Sequence, residues 1–223
     1  MDLKIDIILE LSYDEYVDIL LEKYGRVPGD YFTDSSFRKK NKKINRSKDG
    51  LWCHHIDEDK VPNLSRKPVR VRDYIEDIDP FEYQKAERLV YCNYIEHMLL
   101  HMKIVEKELT KPYDEPNNVF VVGLYGFETL ANKIDKVISF PFSCIKSELT
   151  KTDEVNYKML DEKWITLYVM SIKRFVEKIE NSPEYIAWIS HYPGRRLSQI
   201  HRIYIYHPIN YGETKTLEEY QHE

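Results

Sequence analysis

Residues 89–109, LVYCNYIEHMLLHMKIVEKEL, constrain the fold more than any other stretch of the chain. Leu89-Val90-Tyr91-Cys92 reads as a short buried strand. From Tyr94 to Leu109 the apolar positions recur with the 3.6-residue period of a helix. That helix carries His97 and His101, four residues apart and therefore one above the other on a single face. Upstream, Asp49-Gly50 reads as a hairpin-type turn that leads into Leu51-Trp52-Cys53-His54-His55-Ile56, a second short apolar strand with two adjacent histidines. The chain has eight histidines, and half of them fall in these two short stretches.

Two imidazoles one helical turn apart can offer two ring nitrogens to one metal ion. A third nitrogen from elsewhere in the chain would complete a three-ligand site with an open position, the arrangement of catalytic rather than structural metal centres. A fourth histidine beside it could act as a base. A structural zinc site would instead need a fourth protein ligand, for which Cys53 and Cys92 are the candidates. A metalloprotease of the HExxH type is disfavoured, because Glu96 precedes both helix histidines instead of lying between them.

Strand, connection, strand, then a helix with H-x3-H resembles the ββα-metal motif of HNH nucleases over residues 50–104. HHI followed by LVYCNYIEHMLLH is similar to the phage and bacterial pattern N-L-V-x-L-T-x-x-E-H-x-x-x-H, and the H-x3-H spacing is that of colicin-type nuclease domains. The resemblance implies metal ligation by His54, His97 and His101, with His55 as the general base that activates water. It implies one divalent ion, and imidazole ligation leaves Zn2+, Ni2+, Mn2+ and, by family analogy, Mg2+ open. Carboxylates that orient the rings are sought among Glu96, Asp57, Glu58 and Asp59. The chain departs from the family at one place. The asparagine that ties the family's loop together is replaced by Arg88, so either another residue braces the loop or Asn93 does so from a shifted register. The connection from His55 to His97 is long for the family and points to an insertion around residues 57–80.

The partner implied is DNA. The formal net charge of −5 confines any affinity for phosphates to local basic patches. One such patch is 38–48, RKKNKKINRSK, with Arg38, Lys39, Lys40, Lys42, Lys43 and Arg46 as candidate phosphate contacts; a solvated loop is the plainer reading of the same run. Arg195 and Arg196, in a basic and aromatic stretch, are a second candidate contact. Three widely spaced cysteines without a CxxC pair argue against a disulfide framework or a cysteine zinc site. The acids within MDLKIDIILELSYDEY exclude a signal peptide, and the absence of an 18-residue apolar run excludes a membrane span. The setting expected is cytoplasmic.

Elsewhere Ser12 reads as the N-cap of a helix over 13–24 that Gly25 ends. Residues 3–11 fit a strand or a helix, with a helix or an extended lead-in the favoured reading. Val69–Arg72 reads as a short strand, Phe81–Lys85 as a helical turn and 111–118 as a linker. Helices are expected over 128–140 and 161–179, the latter with Trp164, Leu167, Met170, Ile172 and Phe175 facing a core or a dimer partner. Cys144 reads as a buried small hydrophobe. The expected fold is α+β, a ββα-metal (HNH) nuclease core embedded in a mostly helical body. Its parts are an N-terminal helical region with a basic arm (1–49), the nuclease core (50–110) and a C-terminal α+β region for DNA recognition or dimerisation (111–223). The activity expected is metal-dependent hydrolysis of DNA phosphodiesters, restriction-type or phage-borne, with a homodimer as one route to double-strand cleavage. The competing reading is a catalytically inactive, metal-stabilised DNA-binding or inhibitor module.

Overall fold

The computed structural model describes residues 4–65, 79–111, 118–138 and 150–191. The fold is mixed α+β and mostly helical, and its sheet is a single two-stranded antiparallel pair among the described residues. The segment Val69–Arg72, most of the 111–118 linker, Cys144, Arg195 and Arg196 lie outside the described residues.

Local sequence signals set most element ends. Helix α1 spans Ile5–Glu10 and α2 spans Tyr13–Tyr24. Ser12 caps α2 in a capping box with Glu15, which satisfies donors that the first turn leaves free. Gly25 ends α2 at φ +74°, where a side chain would be strained. Strands β1 (Trp52–His55) and β2 (Leu89–Cys92) pair in the register Trp52–Cys92 to His55–Leu89. Helix α3 (Tyr94–Leu109) follows β2 directly, with Asn93 as its N-cap and Glu96 closing a second capping box. The remaining helices are α4 (Asn118–Ile138), α5 (Lys151–Met159), α6 (Glu162–Ile179) and α7 (Pro183–His191).

Helix α3 is buried on nearly every side, the signature of a central helix. It packs against α2, α4, α6 and the sheet, and one hydrophobic core runs from Leu9 through Val90, Leu99 and Leu130 to Phe175 and Trp188. The tightest approach is to α4. A Cβ added at Gly123 would stand 2.8 Å from Val105 Cγ2, so the glycine permits the contact. Phe127 and Phe175 stack at 3.8 Å between centroids and join α4 to α6. The apolar face of α6 belongs to this core: Leu167, Ile172 and Phe175 are buried, and Trp164 and Met170 pack at its edge.

The Asp49-Gly50 turn does not join two strands. Gly50, at φ +73°, ends a short 3-10 turn over Ser47–Asp49, and α5 is tied to its carbonyl by Asn156 Nδ2 at 3.0 Å. The basic run 38–48 is anchored and not a free arm. Ile44 is buried in a small cluster with Val27, Leu51, Leu89 and Tyr91. Tyr91 donates to the Ile44 carbonyl at 2.8 Å, and Asn41 N–H to Tyr31 O at 2.8 Å.

Candidate metal centre

Strand β1 ends at His55, and its last two side chains leave on opposite faces. His54 turns toward α3, where His97 and His101 stand one turn apart. The ring centroids are 5.0 Å (His54–His97), 5.4 Å (His54–His101) and 5.0 Å (His97–His101). One ligand nitrogen from each ring lies within 4.8 Å of the others. The set contains no cysteine among the described residues. Burial pushes the Cys53 thiol up to about 12 and Cys92 further in the same direction, which keeps both protonated and poor metal ligands.

The hydrogen bonds around His54 define its tautomer. Tyr13, the first residue of α2, has its hydroxyl 2.8 Å from the Ile56 carbonyl and 3.0 Å from His54 Nε2. A carbonyl only accepts, so the single phenolic proton goes to Ile56. Nε2–H of His54 then donates to the phenol oxygen, and Nδ1 is left with a bare lone pair. That Nδ1 is buried without a hydrogen-bond partner, as are Nδ1 of His97 and of His101. Buried ring nitrogens without partners are costly in a chain with nothing to bind, and the donor set fits a divalent ion of borderline softness.

Burial sets the electrostatics. Desolvation holds His101 down at about 4. It holds His54 and His97 well below the usual 6.5, with the neighbouring histidines adding to the effect. All three rings are therefore neutral at physiological pH, the form a metal requires.

His55 is 1% exposed and turns to the other side. Its ring packs against Tyr31 at 4.4 Å between centroids. Gln84 is fully buried and donates its amide N–H to the Leu64 carbonyl at 3.1 Å, which leaves Oε1 facing His55 Nε2 at 2.9 Å. Nε2 must donate to it, so the acceptor nitrogen of His55 is Nδ1. Desolvation holds this ring at about 4 against the opposing pull of Gln84. Despite their opposite faces, His54 and His55 line one cleft of about 1090 Å³, together with His97 and His101. Lys40, Lys42 and Arg46 form part of its wall, whereas Arg38, Lys39 and Lys43 lie outside it. Lys40 donates to the Tyr31 hydroxyl at 2.7 Å, and Arg46 pairs with Asp49 at 2.8 Å.

Compared with known families, curated proteins and solved structures, the chain matches none.

The bracing residues divide. Arg88 does tie the connection together: its Nη1 meets Asp57 Oδ2 at 2.7 Å, joining the turn after β1 to the approach to β2. Asn93 serves as the cap of α3. Glu96 orients no imidazole, because its carboxylate is taken by Lys23 at 2.6 Å, Tyr24 at 2.8 Å and the Asn93 N–H at 2.8 Å. It fastens α2 to the start of α3 instead. Tyr13, Gln84 and Gly126 were not singled out from the sequence. Gly126 matters because a Cβ there would stand 2.3 Å from Cε1 and Nδ1 of His101; the missing side chain is the room that ring occupies. Two glycines three apart inside an apolar helical run carried the signal for close helix approach, whereas nothing local marks Tyr13 or Gln84 as a partner of a histidine 41 or 29 residues away.

Proposed function

We propose that this chain is a metal-dependent endonuclease of the HNH type that hydrolyses phosphodiester bonds in DNA. The observation that carries the reading is the gathering of three neutral, buried imidazoles around one point, with a fourth on the next residue of the strand and in the same cleft. The order β1, β2, α3, with one histidine on the strand and two on the helix, supports it. So does the basic wall.

A divalent ion held by His54, His97 and His101 would polarise the scissile phosphate and stabilise the departing 3′ oxygen. The chain's own residues do the rest. Tyr13 fixes the tautomer of His54, so that Nδ1 keeps the lone pair an ion would take. Gln84 holds the proton of His55 on Nε2, so that Nδ1 can take the proton of an attacking water. Tyr31 limits the swing of that ring. Lys40, Lys42 and Arg46 supply positive charge along the cleft for the backbone of the nucleic acid. DNA over RNA rests on the resemblance to the family.

Plasmid digestion tests the proposal. Chelator-stripped protein is reloaded with Mg2+, Mn2+, Zn2+ or Ni2+ in turn. Wild type should nick or linearise the plasmid with at least one of them. His55→Ala should lose cutting while keeping metal content and DNA binding. Absence of metal-dependent cutting with every ion, in protein that holds metal and DNA, would mark a binding module instead.

A further inference from the structure

Three acids in succession, Asp57, Glu58 and Asp59, are buried at 4%, 7% and 3% exposure in the 3-10 turn Ile56–Asp59 that follows His55. A carboxylate taken out of water needs a compensating charge. The outer two have one. Asp57 pairs with Arg88 at 2.7 Å and Lys60 at 3.1 Å, and Asp59 pairs with Lys107 at 2.6 Å. The turn is thus clamped at both ends, and the middle acid points at the histidines. Glu58 Oε2 lies 3.6 Å from His54 Nδ1 and 3.9 Å from His101 Nε2, and these rings are its ion-pair neighbours among the described residues.

Both separations are too long for hydrogen bonds. They lie a few tenths of an ångström beyond the roughly 3.4 Å that separates two donors on a tetrahedral ion with bonds of about 2.0–2.2 Å. The nitrogen nearest to Glu58 is the proton-free Nδ1 of His54, an acceptor like the carboxylate. Two acceptors facing each other in a buried space need a positive charge between them, either a proton or a metal ion. Glu58 also lines the cleft; its carboxylate stands outside the three-histidine group whose ligand atoms lie within 4.8 Å of one another, so it must move inward to join them on one ion.

We infer that Glu58 is a fourth ligand of the ion held by His54, His97 and His101, and that it takes the coordination position an incoming phosphate needs. The inference rests on the metal centre of the proposed function. Three neutral imidazoles leave the ion's full charge in place, and the carboxylate halves it. An anionic phosphate oxygen would replace one anionic oxygen by another, so the exchange leaves the charge of the centre unchanged. Glu58 then acts as the resting-state cap of the site.

Cobalt(II) titration of the chelator-stripped full chain tests this, read by the visible d–d bands, with thermal melts in chelator to verify folding. Wild type should bind one Co2+ with the intense bands of four-coordinate geometry. Glu58→Gln and Glu58→Ala should each bind about 10–100-fold more weakly, by analogy with the loss of groups that support metal ligands, and with altered bands as solvent takes the vacated position. If both folded variants keep wild-type affinity and bands, Glu58 is no ligand, and the three-histidine centre stands without it. If wild type binds no Co2+, the centre itself fails and the inference falls with it.

Discussion

Replacing Gly126 by alanine separates the stability of the fold from its capacity to hold metal. The new Cβ would lie 2.3 Å from Cε1 and Nδ1 of His101 and 2.5 Å from Cγ. Carbon atoms in contact sit about 3.5–4.0 Å apart, so the ring, α4 or both must retreat by more than about 1 Å. Metal–nitrogen bonds tolerate about 0.2 Å. His101 therefore drops out of the ligand set or binds badly, and metal affinity should fall by about 10–100-fold, worth about 1.4–2.7 kcal/mol. Stability moves less. Overpacking costs about 1–3 kcal/mol, and removing a glycine from a helix interior returns about 1 kcal/mol. Gly123→Ala is the matched control, because its Cβ meets only Val105 Cγ2 at 2.8 Å and Ile104 Cγ2 at 3.2 Å among side chains within 3.4 Å. The assay is zinc competition against a chromophoric chelator, with urea melts of the stripped proteins alongside. Gly126→Ala should lose metal while staying folded, and Gly123→Ala should keep wild-type affinity. A Gly126→Ala protein that binds zinc as tightly as wild type would refute the placement of His101 in the site.

Tyr13→Phe removes the hydroxyl that receives the His54 proton; metal affinity should fall by about 10–100-fold, measured by the same competition, and an unchanged affinity would remove Tyr13 from the site. Gln84→Leu frees the His55 ring to take either tautomer; cleavage should slow by about 10²–10⁴-fold, the usual worth of a positioned base, with metal content intact, and a wild-type rate in single-turnover cleavage would rule the amide out. Acid should destabilise the stripped protein. His55 and His101 sit at about 4 when folded against 6.5 when unfolded, so the unfolded chain binds more protons between these values and each ring costs about 2 kcal/mol from pH 7 to 5. His54 and His97 act in the same direction. Desolvation raises Glu58 to about 7, which works the opposite way and returns about 2 kcal/mol over that interval. The net result is a urea midpoint that falls with pH below about 6.5, and a flat midpoint would contradict the burial of the rings.

The elements nearest the site were the most legible in the sequence. Both strands and α3 stand where the apolar runs put them, since strand and helix each declare themselves by local periodicity, and Ser12 with Gly25 marked α2 at both ends. The i, i+4 spacing brought His97 and His101 together for the same local reason. The convergence of His54 on them could be expected only through family resemblance, because antiparallel pairing over a long connection leaves no local trace. Glu96 misled: a buried glutamate next to a histidine looks like its partner, yet its carboxylate serves the cap of its own helix and α2. The turn at Gly50 misled as well, since the dipeptide fits both a hairpin loop and the end of a 3-10 turn. Gln84 and Tyr13 were silent because tertiary packing alone gives them their roles. No helix among the described residues is long and apolar enough to cross a membrane.

The position of Tyr13 and Gly126 bears on how this molecule can be dissected. The hydroxyl that orients one histidine comes from α2, and the hollow that houses another comes from α4. Expressing residues 50–110 as an autonomous fragment would therefore discard both supports, and with them most of the apolar partners of α3. Grafting experiments that transplant only the strands and the histidine helix onto another scaffold should yield a peptide that neither folds nor chelates until both outer helices travel with it.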